Sequence, residues 1–414
     1  MMRRILLCGA LCAAAPAWAQ DMDHSHHHET ASSAMMHGGD WSAEGSGTSR
    51  LPADDAMRGL HRMAGDWMLM AHGYVFGVYS EQGGPRGGDK AYAASMAMLQ
   101  ASREADSGTR LRLRAMLSLD PAMGKRGYPL LFATGETAHG HPLIDRQHPH
   151  DFLMEVSARL DVPLGGDVTG FVYGGLPGEP AVGPAAFMHR GSARLNPEAP
   201  ITHHWFDSTH ITFGVVTAGL AGKAWQVEAS AFKGREPNEE RWGVDTPRLD
   251  SWAVRGTLNP TPEWQMQFSY ARLKSPEALH VDEDEGRLTA SLAYVKDGLA
   301  VTAAYARKNR MPGPVLEAWL VEAHYDLTPR HALFTRFERV ENDELFDHGT
   351  PLHGQMFTVS KLSLGYAYTM PLGAAASLSL GGLGSLYGKG DRLDPSYGRE
   401  PKSFMLFARL ALGR

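Results

Sequence analysis

The sequence predicts an all-β fold, a transmembrane antiparallel β-barrel of about 16 strands (14 to 18) behind a disordered N-terminal arm. Three observations predict it. Apolar and polar residues alternate with period two in segment after segment. After residue 20 no run approaches the roughly 18 continuous apolar residues of a membrane-spanning helix. The connections between segments alternate between tight turns and long polar loops.

The elements follow in chain order. Residues 1–19 read as a signal peptide: Met1 to Arg4 is basic, Ile5 to Ala15 is apolar, and Ala17-Trp18-Ala19 is a small-x-small cleavage site. Both cysteines, Cys8 and Cys12, lie in this leader, so the mature chain is expected to hold no thiol and no disulfide. Residues 20–50, rich in Ser, Gly, His, Asp and Met, read as a disordered periplasmic arm, because they offer too little bulky apolar surface to pack. Residues 51–66 read as a short linker or helix, and 67–414 as the barrel.

Within the barrel the strands are expected at 67–79, 89–101, 110–119, 150–161, 168–176, 209–219, 224–233 and 251–259, then at 264–273, 286–296, 298–306, 315–326, 331–340, 357–369, 375–386 and 402–412. Leu111, Leu113, Ala115 and Leu117 point one way while Arg110, Arg112, Arg114 and Met116 point the other. Charge recurring on one face of successive strands marks a wet lumen, and the apolar face marks lipid. Trp225, Trp252, Trp264, Tyr294, Tyr305, Tyr325, Tyr366 and Tyr368 stand near strand ends, where interfacial girdles form. An even strand number places both ends of the barrel at the periplasmic side.

The 40 Lys and Arg against 46 Asp and Glu give a formal charge of -6, or -8 without Arg3 and Arg4 of the leader. No polybasic block accompanies it, so nucleic-acid binding is excluded. The expected surroundings are outer-membrane lipid and lipopolysaccharide.

Two tracts carry metal-ligand chemistry. The arm holds Met22, His24, His26, His27 and His28, a set of thioether and imidazole donors that suits copper in either oxidation state. The second tract gathers eight of the twenty histidines between residues 139 and 210: His139, His141, His148, His150, His189, His203, His204 and His210, with Asp207 among them. They fall in the two longest loops, which are external or fold inward as a constriction. His148 and His150 share a face on an extended backbone, with Asp145 or Asp151 as a second partner, and two or three imidazoles plus a carboxylate suit copper(II) or zinc. Asp207, Ser208 and His210 also contain the residue types of a hydrolase triad, but adjacent residues do not by themselves bring nucleophile, base and oxyanion hole together. Asp282-Glu283-Asp284-Glu285 reads as a solvated acidic loop.

The chain after Gln20 resembles Gram-negative outer-membrane β-barrels. Met22-Asp23-His24-Ser25-His26-His27-His28 ahead of a barrel is similar to the outer-membrane copper-resistance B proteins, a resemblance that implies copper sequestration or export. The wording Met188-His189-Arg190 to His203-His204-Trp205 is similar to that of uncharacterised proteobacterial barrels. One departure from such barrels is the terminal Leu410-Ala411-Leu412-Gly413-Arg414, which lacks the usual final aromatic residue. The expected function is therefore a non-enzymatic barrel that binds transition metal, copper before zinc, in metal tolerance or passage, with a periplasmic metal carrier as partner. A porin with a His-lined constriction is the alternative, and an outer-membrane hydrolase a second.

Overall fold

The computed structural model describes residues 41–55 and 57–413. The leader and the donors Met22, His24, His26, His27 and His28 lie outside the described residues.

Sixteen antiparallel strands close into one barrel. They are β1 (Trp67–Gln82), β2 (Gly88–Glu104), β3 (Arg110–Leu117), β4 (Leu153–Gly165), β5 (Val168–Gly175), β6 (Val215–Ala221), β7 (Trp225–Phe232) and β8 (Ser251–Thr261). β9 (Trp264–Leu273), β10 (Asp284–Lys296), β11 (Leu299–Met311), β12 (Val315–Thr328), β13 (His331–Asn342), β14 (Phe357–Leu372), β15 (Ala376–Lys389) and β16 (Lys402–Leu412) complete the wall. β16 pairs with β1 from Ser403↔Gln82 to Leu412↔Gly73 and leaves no open edge. Leu60–Ala64 continues the same row, pairing with the first residues of β1.

The alternation sorts side chains as the lipid and lumen require. In β7, Trp225, Val227, Ala229 and Ala231 face out, whereas Gln226, Glu228, Ser230 and Phe232 are buried inside. Outward Leu99, Phe268, Leu364 and Leu406 are each more than half exposed, part of a belt far larger than a water-facing protein tolerates. Lipid satisfies it. Every wall strand pairs on both sides, so the barrel carries no unpaired backbone edge into the hydrocarbon.

The lumen is filled. Arg287, Arg336 and Lys361 point inward and have no exposed surface. Their charge is answered within the lumen: Arg287 Nε donates to Glu285 at 2.5 Å, Arg336 Nε to Glu322 at 2.8 Å, and Lys361 pairs with Glu198. Burying such ions is tolerable only with partners at this range. Glu198 belongs to the long β5–β6 loop, residues 176–214, which therefore runs through the barrel rather than above it.

Four expectations are corrected. Residues 41–50, expected in the disordered arm, instead begin a hairpin, Ser42–Glu44 against Arg50–Pro52, lodged within the short-turn end of the barrel. Its small polar residues fit a polar wall: Thr48 Oγ1 donates to Glu228 at 2.5 Å and Arg255 Nη2 to Thr48 at 3.1 Å. The linker at 51–66 holds a 3-10 turn at Ala53–Asp55 and the strand Leu60–Ala64. The strand expected from 209 starts at Val215, because Ser208–His210 forms a 3-10 turn and the Gly178↔Thr212 bridge draws the chain inward. The acidic run at 282–285 is also less solvated than expected, since Glu285 faces the lumen and is buried.

Glu44 is the hairpin's electrostatic anchor. Burial alone would raise its carboxyl, but Arg112, Arg110 and Arg114 of β3 hold it down at about 2. Glu44→Gln leaves these guanidiniums facing one another. A lost charged hydrogen bond is worth roughly 1.5–3 kcal/mol, so amide exchange in residues 42–52 should rise by about tenfold or more, read by mass spectrometry in detergent. Unchanged exchange would show that the hairpin is held by packing alone.

Candidate functional site

Two loops build the site: residues 118–152 between β3 and β4, and residues 176–214 between β5 and β6. Both leave the long-loop end of the barrel, which faces outward in outer-membrane barrels.

The first loop is stiffened by two small ribbons, Tyr128–Pro129 with Arg146–Gln147 and Glu136–Ala138 with His141–Leu143. Asp145 pins its base: the carboxylate accepts Phe132 N–H at 2.8 Å and pairs with Arg86 at 2.8 Å. Phe132, fully buried, stacks on Tyr397 at 4.2 Å. This anchoring points Glu136 and His148 into the lumen. His148 is followed by Pro149, which biases it toward extended backbone.

The second loop supplies a single helical turn, His203–Phe206, followed by the 3-10 turn. One turn sets residues 203 and 207 side by side, and His203 Nδ1 meets Asp207 Oδ1 at 2.7 Å. Asp207 also accepts Phe187 N–H at 2.9 Å and Arg190 Nη1 at 3.2 Å, so one carboxylate ties the turn to the preceding segment.

The loops bring five histidine rings together. Centroids lie 5.9 Å apart for His148–His203, 5.8 Å for His148–His204, 5.4 Å for His203–His204, 5.2 Å for His203–His210 and 5.3 Å for His150–His210. In four of them Nδ1 is engaged: His148 with Pro149 O, His150 with Asp120 Oδ2, His203 with Asp207 Oδ1 and His210 with Asp207 O. The Nε2 atoms of His148, His150 and His210 are buried without a hydrogen-bond partner, as is that of His204, whose Nδ1 faces Glu236 Oε1 at 3.4 Å. An imidazole fixed through one nitrogen with the other free is the arrangement a metal-ligating histidine adopts.

One donor set converges further. Ligand atoms of Glu136, His148 and His204 lie within 4.8 Å of one another. A tetrahedral ion with bonds near 2 Å needs donors roughly 3.4 Å apart, and the 3.5 Å between His148 Nε2 and Glu136 Oε1 meets that. Two imidazoles and a carboxylate leave a fourth position for water or cargo. Gly135 makes the approach feasible: its φ is +105°, and a Cβ there would fall 2.7 Å from His204 Nδ1.

Charge at the site is uneven. Burial lowers the imidazolium pKa of His148, with Arg241 and neighbouring rings adding to it, so its lone pair is free at neutral pH. Burial lowers His210 similarly, reinforced by His203 and His150. His204 differs: burial would lower it, yet Glu236 with help from Glu136 and Glu277 pushes it up to about 9. Burial outweighs Arg241 and raises Glu136 to about 7.

The remaining expected residues disperse. His139 and His141 sit exposed at the tip of the second ribbon, where Glu239 Oε2 receives the His139 N–H, so they stay out of the cluster. His189 is buried with both ring nitrogens unpartnered but meets none of the other rings. Asp145 and Asp151, expected beside His148 and His150, serve the loop base and Arg241 instead; Asp120 partners His150, and Asp207 partners His203. Ser208 Oγ accepts from Arg287 at 2.9 Å, and the histidine nearest in sequence turns its Nδ1 to Asp207 O. Glu136, Glu236, Asp120, Arg190 and Arg241 were missed, since carboxylates and guanidiniums this common carry no sequence signal until the loops fold.

No protein-family model matches the chain, and no curated protein matches it. Solved structures do. The chain is similar to OmpF of Salmonella typhi in its complex with daunomycin, at 8% identity and a TM-score of 0.56, over 85% of this chain and 100% of that one. It is also similar to the anion-selective porin from Comamonas acidovorans, at 10% identity and a TM-score of 0.51, over 83% and 99%. At these identities the likeness is one of fold. With the closed sixteen-strand wall and its apolar belt, it makes the chain an outer-membrane β-barrel of porin-like architecture.

Proposed function

We propose that this barrel binds a transition-metal ion inside its lumen and acts in the tolerance or passage of that metal. The observation that carries the reading is the convergence of Glu136, His148 and His204, all buried, on two loops folded into the barrel, with Nε2 of both rings lacking a hydrogen-bond partner. Copper(II) stands ahead of zinc, because an imidazole and carboxylate set binds divalent ions in the general stability order. The Met22 to His28 segment adds a second donor set of both softnesses, the feature on which the likeness to copper-resistance B proteins rests. A periplasmic metal carrier is the natural partner for such a segment.

The test is the copper and zinc content of the refolded mature barrel, with and without residues 20–40. Metal retained near one ion per chain by the shortened barrel supports a lumen centre. Metal lost with the arm places binding there alone and removes the lumen from the function.

Metal uptake is coupled to protons in this reading. His204 carries its proton below about pH 9, and a ligand must be deprotonated to bind. Uptake at pH 7.5 should therefore release about one proton per ion, and affinity should climb until about pH 9. Calorimetry in buffers of different ionisation enthalpy reads the proton directly.

A porin reading draws on the similarity in fold to OmpF and to the anion-selective porin. In it the histidines of the two long loops shape a constriction for a small solute. Conductance that is indifferent to added metal, together with no metal retained, would make it the better account.

A further inference from the structure

A second donor set lies outward of the first and shares a cavity with it. Glu277 and His280 come from residues 274–283, between β9 and β10, and Glu344 from residues 343–356, between β13 and β14. One ligand atom from each lies within 4.8 Å of the others. His280 Nε2 and Glu344 Oε1 are 2.9 Å apart, and Lys308 Nζ donates to Glu277 Oε1 at 2.5 Å. Glu277 is 2% exposed, and its Oε2 is buried without a partner. His280 is a quarter exposed, so the set reaches toward solvent.

Glu277, Glu344, Lys308 and His204 all line one small cavity of about 10 Å³, room for about one water molecule. At its inner wall stands His204, whose Nδ1 faces Glu236 Oε1 at 3.4 Å and whose Nε2 has no hydrogen-bond partner. The charge around it favours cations: Glu236, Glu277, Glu283, Glu285, Asp343 and Glu344 outnumber Lys308, Arg310 and Arg287. Lys308 lies 5.0 Å over the Trp205 ring, so its ammonium fills the space between the outer carboxylates and the inner histidine.

We propose that Glu277, His280 and Glu344 form an entry station that receives a divalent cation and, as the Lys308 ammonium gives way, passes it through this cavity to His204 of the inner centre. This rests on the metal reading of Glu136, His148 and His204. Oxygen donors with one imidazole suit first capture, since they hold a divalent ion without stripping it of all its water. The inner pair of imidazoles then binds it more tightly. Lys308 is the placeholder: its ammonium neutralises Glu277 until the incoming cation displaces it.

The experiment follows Co²⁺ loading of the barrel lacking residues 20–40 by its visible absorption after rapid mixing. Native folding of each variant is checked by its shift on unboiled gels. Glu277→Gln with Glu344→Gln should slow loading by about tenfold or more, as expected when focused charge is removed from an entry path, while the final cobalt content stays that of the parent. Lys308→Met, the second variant, should load faster than the parent. Loading at the parent rate in both variants overturns the entry station and leaves the inner centre standing. If the parent itself takes up no Co²⁺, the inner centre fails and the route falls with it. Final content reduced by the double variant to that of a His148→Ala, His204→Ala barrel would overturn the division into two stations.

Discussion

Changing His148 and His204 together to alanine should strip the barrel lacking residues 20–40 of its metal, while the sixteen-strand wall remains intact. The two rings supply both nitrogen donors of the convergent set, leaving Glu136 as a single carboxylate already engaged by Arg241 at 2.7 Å. Outer partners of a metal ligand typically cost 10–100-fold in affinity when removed, and loss of two ligands must exceed that. Equilibrium dialysis against copper(II) and zinc reads the effect. His139→Ala with His141→Ala is the matched control: those rings are exposed at a ribbon tip, so their loss should leave lumen binding unchanged. If the control variant loses metal and the His148 and His204 variant retains it, the centre does not lie in the lumen.

Asp207→Ala should release the long loop from the channel. Asp207 is 3% exposed and joins His203, Arg190 and the Phe187 amide at one point. His203 and Arg190 hold its carboxyl well below the usual range despite burial, which is the signature of an anion the surroundings require. Removing one partner of a buried charged pair costs about 3–5 kcal/mol. Glu322 still faces Arg190 at 2.6 Å, so the lower end of that range applies. The strand pairings do not involve Asp207, so the cost falls on the loop and not on the wall. Single-channel conductance in planar bilayers should appear or increase, and trypsin should cut at Arg190 or Arg194, both in that loop. A silent, protease-resistant Asp207→Ala barrel would mean that other contacts, such as Glu198 with Lys361, hold the loop by themselves.

Most of the wall was legible because lipid and lumen impose opposite chemistry on neighbouring residues. In β8 the outward Trp252, Val254 and Leu258 alternate with inward Ala253, Arg255 and Thr257, and no soluble fold asks for that polarity. The hairpin at residues 42–52 was hidden for the same reason. A segment that packs on a polar wall needs Ser, Thr, Gly and Glu, the composition that elsewhere marks disorder. In the site, His148, His150, His203, His204, His210 and Asp207 stood out by density. His139, His141 and His189 stood out equally, and only the folding of the loops separates them. Glu136 comes within 3.5 Å of His148 through the ribbon and the turn at Gly135, a geometry that the eleven residues between them do not encode locally.

The position of that hairpin bears on how the molecule is assembled. Residues 41–52 precede every wall strand, yet end up enclosed by them, and the seam that closes the wall joins β1 to β16 across more than 300 residues. Pairing partners so distant in the chain is slow. The hairpin must therefore be held in the nascent sheet before the last strand docks, since afterwards it would have to enter through an end already narrowed by its own neighbours. Sealing the seam is then the committing step of biogenesis, and a chain that closes empty would be a misassembled product whose three β3 arginines have lost Glu44 and keep only Asp161 and Glu155 of β4.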